Sequence, residues 1–145
     1  MSDSISNETP EQTWAGLQDA SDTILVDVRT RAEWAFVGVP DLRSLNKEPL
    51  LVEWKEFPTM AVNESFSSQI LDALSGETPT KIYFLCRSGV RSVSAAVTMA
   101  EVFATQNKHV ECVNVLEGFE GDLDPSGHRG NINGWKSRGL AWGQS

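Results

Sequence analysis

A single α/β domain, with a mainly parallel central sheet flanked by helices on both faces, is the fold the sequence predicts, on three observations. The chain has 145 residues, enough for one domain with a substantial core and too few for several. Short apolar runs alternate with amphipathic stretches along its length. Ile24-Leu25-Val26-Asp27-Val28 is β-branched and nearly continuous, the pattern of a strand covered on both faces.

The elements follow in order. Residues 1–8 are small and polar and read as a flexible tail, with the domain occupying 9–142. Thr9-Pro10-Glu11-Gln12 has the form of a capping box with Pro at the first helical position, so a helix is predicted over about 10–20. After the strand at 24–28, Thr30 and Glu33 repeat the capping-box pattern and predict a brief helix through Trp34 and Phe36. Residues 38–62 hold Pro40, Pro49 and Pro58 without a clean period, and a strand is assigned only around Leu50–Trp54. Phe66, Ile70 and Leu74 form a helical stripe that Asn63 can cap and Gly76 can end. Lys81–Leu85 reads as a strand, 92–104 as a helix apolar nearly all round and so buried between layers, and His109–Val115 as another strand. The Gly-rich stretch 118–134 is a long loop, followed by a terminal segment with Trp135, Leu140 and Trp142.

Composition excludes several classes of function. Twelve Lys and Arg against twenty Asp and Glu leave a net charge of −8, the wrong sign for binding nucleic acid through its phosphates. Six of the acids, Asp3, Glu8, Glu11, Asp19, Asp22 and Asp27, fall within residues 1–28, which contain no Lys or Arg. That segment lacks the basic and apolar regions of a secretory signal, and no apolar run approaches a membrane span, so a cytoplasmic protein without membrane or nucleic-acid partners is expected. Cys86 and Cys112 are too few for a disulfide framework or a Cys-rich zinc site, even with His109 and His128 added, and no metal is expected.

The chemistry concentrates in Tyr83-Phe84-Leu85-Cys86-Arg87-Ser88-Gly89-Val90-Arg91-Ser92, where a cysteine ends a strand, a short loop follows and a helix begins. In open α/β sheets ligands bind at the carboxyl ends of strands, beside helix N-termini. A curled loop there turns backbone N–H groups inward and the helix adds partial positive charge, which together make an anion cradle around the sulfur. Gly89 gives the loop its conformational freedom, and Arg87 and Arg91 supply guanidinium donors. An ordinary thiol is only a few per cent thiolate at neutral pH, and such a field favours the thiolate, so Cys86 is poised as a nucleophile. The alternative is a packed strand-end cysteine beside a polar turn.

Cys-x4-Arg-Ser between a strand and a helix resembles the active-site loop of rhodanese-like domains. Val26-Asp27-Val28-Arg29-Thr30-Arg31-Ala32-Glu33-Trp34 is similar to that family's first strand and turn, and Leu116-Glu117-Gly118 with Gly134-Trp135-Lys136-Ser137-Arg138-Gly139-Leu140 to its C-terminal signature. The resemblance spans about residues 10–142. It implies sulfur transfer: Cys86 would carry a sulfane sulfur as a persulfide, with backbone N–H groups from Arg87, Ser88, Gly89, Val90, Arg91 and Ser92 around the terminal sulfur. Arg87 and Arg91 would bind a small anionic donor such as thiosulfate, and the acceptor would be cyanide, a thiol or a protein. This chemistry requires no cofactor. Two departures from the family pattern, Val37-Gly38-Val39-Pro40-Asp41-Leu42 in place of Gly-His-Ile-Pro-Gly-Ala and a lengthened stretch from Gly121 to Gly134, both bear on substrate identity.

Other residues carry two readings. Asp27 and Arg29 end a strand on the active side; the structural reading has Asp27 bonding loop amides and Arg29 pairing with an acid such as Glu33. Cys112 is core or a resolving thiol. His109 reads as a surface residue at a strand start. His128 and Arg129 belong to a solvated turn or to a lid over the site. A Cys-dependent phosphatase or arsenate reductase is the alternative enzyme, but those use five residues between Cys and Arg where this chain has four, and no Asp general acid is evident. A non-catalytic rhodanese-like binding module is the other alternative, although such modules commonly lack the cysteine.

Overall fold

The computed structural model describes residues 5–144. In chain order the elements are β1 (Ser6–Glu8), α1 (Pro10–Asp19), β2 (Thr23–Asp27), α2 (Arg31–Phe36), β3 (Val39–Pro40), a 3-10 turn (Arg43–Leu45), β4 (Leu50–Leu51), β5 (Lys55–Glu56), β6 (Ala61–Val62), α3 (Phe66–Leu74), β7 (Lys81–Leu85), α4 (Arg91–Thr105), β8 (Glu111–Val115) and β9 (Trp142–Gly143). Five strands form a parallel sheet in the order β1-β8-β7-β2-β4, and two antiparallel ribbons, β3 with β9 and β5 with β6, lie outside it.

Strand alternation sends side chains to two separate layers. Leu25, Tyr83, Leu85, Val113 and Val115 pack with Leu17 of α1 and with Leu42, Phe119 and Trp135. Val26, Val28, Ile82, Phe84, Cys86 and Cys112 pack instead with Phe66 and Ile70 of α3 and Ala95, Met99 and Phe103 of α4. The sheet is therefore covered on both faces, as the β-branched run at 24–28 requires. No helix among the described residues is long and apolar enough to cross a membrane.

Local signals act as expected at the helix starts. Thr9 and Gln12 exchange side-chain and backbone hydrogen bonds at α1, and Thr30 and Glu33 do the same at α2. At α3 the N-cap is Ser65 rather than Asn63, whose Oδ1 accepts the Ser65 N–H from just outside the helix. Ser75 then ends α3 in the left-handed region, one residue before Gly76.

Three elements differ from the sequence reading. Ser6–Glu8 is a strand rather than a tail, paired with β8 so that Asn7 lies opposite Asn114; residues 1–4 of that segment lie outside the described residues. Polar side chains hide this strand because its ties are polar: Ser6 donates to Glu111, and Glu8 pairs with Lys81 at 3.1 Å. The helix α4 is not buried between layers, since Val93, Ser94 and Glu101 face solvent and only one side meets the sheet. The strand expected around Leu50–Trp54 is formally Leu50–Leu51, though Val52 and Trp54 still donate to the Asp27 and Val28 carbonyls.

Candidate active site

Cys86 follows the last residue of β7, and its sulfur accepts the Gly89 N–H at 3.1 Å and lies 3.2 Å from the Ser92 Oγ. Gly89 has φ +106, a conformation other residues rarely adopt, and this places its N–H on the sulfur. Two of the loop's carbonyls are taken up from behind. Phe119 N–H donates to the Cys86 carbonyl at 2.8 Å, and the Glu120 and Gly121 N–H groups donate to the Arg87 carbonyl at 3.0 and 3.1 Å. With these two oxygens engaged there, the Gly89 N–H is the loop amide that reaches the sulfur, and the first turn of α4 adds amides with no partner within the helix.

The two arginines of the loop play different parts. Arg87 is exposed and makes no ion pair among the described residues. Arg91, expected to bind the donor, is held by both carboxylate oxygens of Glu33 at 2.7 and 2.8 Å and also lines the cleft beside the loop. Burial acts to raise the Glu33 pKa, but the Arg91 hydrogen bonds and charge, with the Thr30 bonds, outweigh it and hold it down at about 2, against an ordinary 4.5. Glu33 thus ties the start of α2 to the start of α4. A carboxylate with a depressed folded pKa stabilises above its unfolded value, and that contribution is lost as pH falls through the folded one. The urea midpoint should therefore decline between pH 4.5 and about 2, and the Glu33→Gln variant should show a shallower decline over that window.

Asp27 and Arg29 pair with each other, and Arg29 does not pair with Glu33. Its guanidinium bonds both Asp27 oxygens at 2.6 to 3.2 Å, donates to the Gly38 carbonyl at 2.7 Å and lies over the Phe119 ring at 4.1 Å. Asp27 also accepts the Arg29 N–H, the one loop amide it bonds. Both side chains are fully buried, and the pair ties the end of β2 to Gly38 and Phe119; Arg29 Nη1 has no hydrogen-bond partner among the described residues.

Beside the cradle, bordered by Arg87 and Arg91, opens a cleft of about 780 Å³ whose other walls include Phe57, Met60, Leu123, His128 and Arg129. The loop between Gly121 and Gly134 therefore reaches the mouth. It is an ordered excursion: Asp124 accepts bonds from the Ser126 and His128 N–H groups and from Asn131, and Gly130 N–H returns to the Glu120 carbonyl. Arg129 donates to the Gly121 carbonyl at 2.6 Å, and His128 is exposed. Behind the loop, Glu117 accepts from Gly134 N–H and from Arg138, a clasp that sequence reading missed because its members are far apart in the chain.

Cys112 packs in the core on β8, 2% exposed, and burial with the Glu111 charge pushes its thiol up to about 12. His109 is exposed, as expected of a surface residue. Missed altogether was Asn114, a buried amide between Val113 and Val115; an Asn at an inward position of a core strand is itself the signal.

A strand-end cysteine in an amide-lined loop before a helix, on a parallel sheet, defines a class of thiol-centred α/β domain. The family model described as rhodanese-like domain matches residues 9–122, and the chain belongs to that family. It is similar to Rv0390 from M. tuberculosis, with 44% identity and a TM-score of 0.84 for its crystal structure over 98% of this chain and all of that one. An uncharacterised protein of Rickettsia rickettsii is 34% identical over 96% of this chain and 98% of its own length. A protein of Rickettsia montanensis, described as an uncharacterised protein in the dnaA 5′ region, is 33% identical over the same shares.

Proposed function

We propose that this protein is a sulfurtransferase that carries a sulfane sulfur on Cys86. The observation that carries the reading is the Cys86 sulfur held by the Gly89 N–H just before α4, with the Cys86 and Arg87 carbonyls engaged behind it. In the first half-reaction the Cys86 thiolate attacks the outer sulfur of a donor such as thiosulfate. The donor's S–S bond breaks, sulfite leaves with the bonding pair, and a Cys86 persulfide forms. In the second, a thiolate or cyanide attacks the terminal sulfur and Cys86 leaves as thiolate. The loop amides stabilise the negative terminal sulfur between the two steps.

The mouth's walls include Glu33, already paired with Arg91, and Glu120, and no Asp among the described residues, which weighs against the general-acid chemistry of a phosphatase. The retained cysteine and its N–H donor favour catalysis over a purely binding module. The reading is tested by intact mass: donor treatment should add about 32 Da, one sulfur atom, and cyanide should remove it. Absence of the adduct with thiosulfate, mercaptopyruvate and a glutathione persulfide alike would reject it.

With Arg91 engaged, capture of the donor falls to Arg87, His128 and Arg129 at the mouth. Arg129→Ala should raise KM for thiosulfate by about threefold to tenfold while changing kcat less than twofold, because a mouth residue acts on capture rather than on the sulfur exchange. Steady-state kinetics across a thiosulfate series measure this, and an effect confined to kcat would remove Arg129 from the donor path.

A further inference from the structure

The Cys86 sulfur is the end of a polar chain that crosses the domain. Ser92 Oγ, 3.2 Å from the sulfur, donates to Asn114 Oδ1 on β8, and Asn114 Nδ2 donates to Asn7 Oδ1 on β1 at 3.1 Å. Cys86, Ser92 and Asn114 are buried, whereas Asn7 is exposed at the sheet edge. Ser92 has a single proton, and in this arrangement it points to Asn114. The proton between Cys86 and Ser92 is then the thiol's own, and the chain as it stands suits the protonated cysteine.

We propose that Asn114 and Asn7 form an invertible hydrogen-bond relay that turns the Ser92 hydroxyl toward Cys86 when the cysteine ionises. After the thiol proton leaves to solvent, the sulfur accepts from Gly89 N–H and gains a second donor only if the Ser92 proton turns to it. That turn alone would strand the buried Asn114 Oδ1, a costly loss in a dry site. Rotating the Asn114 amide by half a turn removes the cost: Nδ2 now donates to Ser92 Oγ and Oδ1 faces Asn7. Asn7 rotates likewise and donates its Nδ2. Amide oxygen and nitrogen have nearly the same size, so both flips keep the packing, and every bond in the chain is remade with opposite polarity. The exposed position of Asn7 gives it the freedom to turn. Asn114 and Asn7 are positioning residues in this scheme, acting on Cys86 through Ser92.

The inference rests on Cys86 being the working thiol of the proposed function, but alkylation reads it without sulfur transfer. The probe is iodoacetamide, with the rate at Cys86 followed by peptide mass from about pH 5 to about pH 9 on the full chain. The charged groups around Cys86 are Arg87 in the loop, Arg91 with Glu33 at the helix starts, Asp27 with Arg29 below, and Glu117 with Arg138 behind the loop; around Asn7 they are Glu8, Lys81 and Glu111. All are unchanged in the variants.

Asn7→Asp can only accept, so it holds Asn114 in the thiol-supporting sense. Alkylation near neutral pH should slow by about tenfold, with the profile displaced to higher pH. The effect should persist in about 1 M salt, where screening over about 3 Å removes the influence of the added surface charge. Asn7→Gln keeps an amide that can face either way and should stay within about twofold of the wild type. An Asn7→Asp profile that returns to that of the wild type in high salt, or equal slowing in Asn7→Gln, would overturn the relay. Slowed alkylation in Asn7→Asp together with a wild type that forms no persulfide would leave the relay standing and reject the proposed function.

Discussion

Cys86→Ser should abolish both the donor-dependent mass increase and all sulfur transfer, whereas Cys112→Ala should retain both within about twofold. Exposure does not separate the two thiols, since Cys86 is 1% and Cys112 2% exposed. What separates them is the polar atoms around each sulfur. Cys86 has the Gly89 N–H, the Ser92 hydroxyl and the start of α4 beside it, all able to support a negative sulfur. The neighbour of the Cys112 sulfur is the Val110 carbonyl at 3.9 Å, an acceptor that supports only the protonated form. With its thiol pushed up to about 12, Cys112 is almost wholly protonated at any pH used for assay. Alanine is the better replacement there, because it deletes the thiol without leaving an unpaired hydroxyl in the core. Adduct formation by Cys86→Ser, or its loss in Cys112→Ala alone, would exchange the roles of the two cysteines.

What the sequence made legible was local. Thr9 with Gln12 and Thr30 with Glu33 are three residues apart, and a capping box needs no other information. Cys86 and Gly89 are equally close, so the cradle could be drawn from strand, loop and helix signals in one window. The partners of those residues are a different matter. Glu33 reads as a partner of Arg29 because they are neighbours in sequence; the fold instead turns Arg29 onto Asp27 and brings Glu33 to Arg91, 58 residues away. Asn7 and Asn114, separated by 107 positions, meet only because β1 joins the sheet beside β8, and β1 itself looked like a tail. A polar edge strand of three residues carries no hydrophobic period, and its pairing comes from the open edge it completes. The loop between Gly121 and Gly134 was legible as long and as near the mouth. Its order was not, because the Asp124 and Asn133 bonds that organise it run between residues with no periodic signal.

Gly118→Ala should lower kcat/KM by about a hundredfold or more, although residue 118 is buried behind the loop. Gly118 has φ +67, and a Cβ built on it would lie 2.5 Å from both the carbonyl carbon and oxygen of Arg87 and 2.6 Å from the Cys86 carbonyl oxygen. These are backbone atoms of the cradle, so no side chain can swing aside to make room. The two segments must separate, and the bonds from Phe119, Glu120 and Gly121 to the Cys86 and Arg87 carbonyls lengthen or break. Those bonds hold the loop's oxygens away from the sulfur; a shift of about 1 Å in such a constellation is enough for losses of this size. The fold should lose about 2–4 kcal/mol from the left-handed strain and the overpacking together. Gly76→Ala separates the two effects, since Gly76 has φ +83 but open space around it, and lies at the end of α3 away from the cradle. It should cost about 1 kcal/mol and leave kcat/KM unchanged. Both variants are assayed at a urea-verified folded fraction, with Cys86 alkylation as a second readout. A folded Gly118→Ala protein within about threefold of the wild type in kcat/KM and alkylation would show that the cradle keeps its shape without the 117–121 segment behind it.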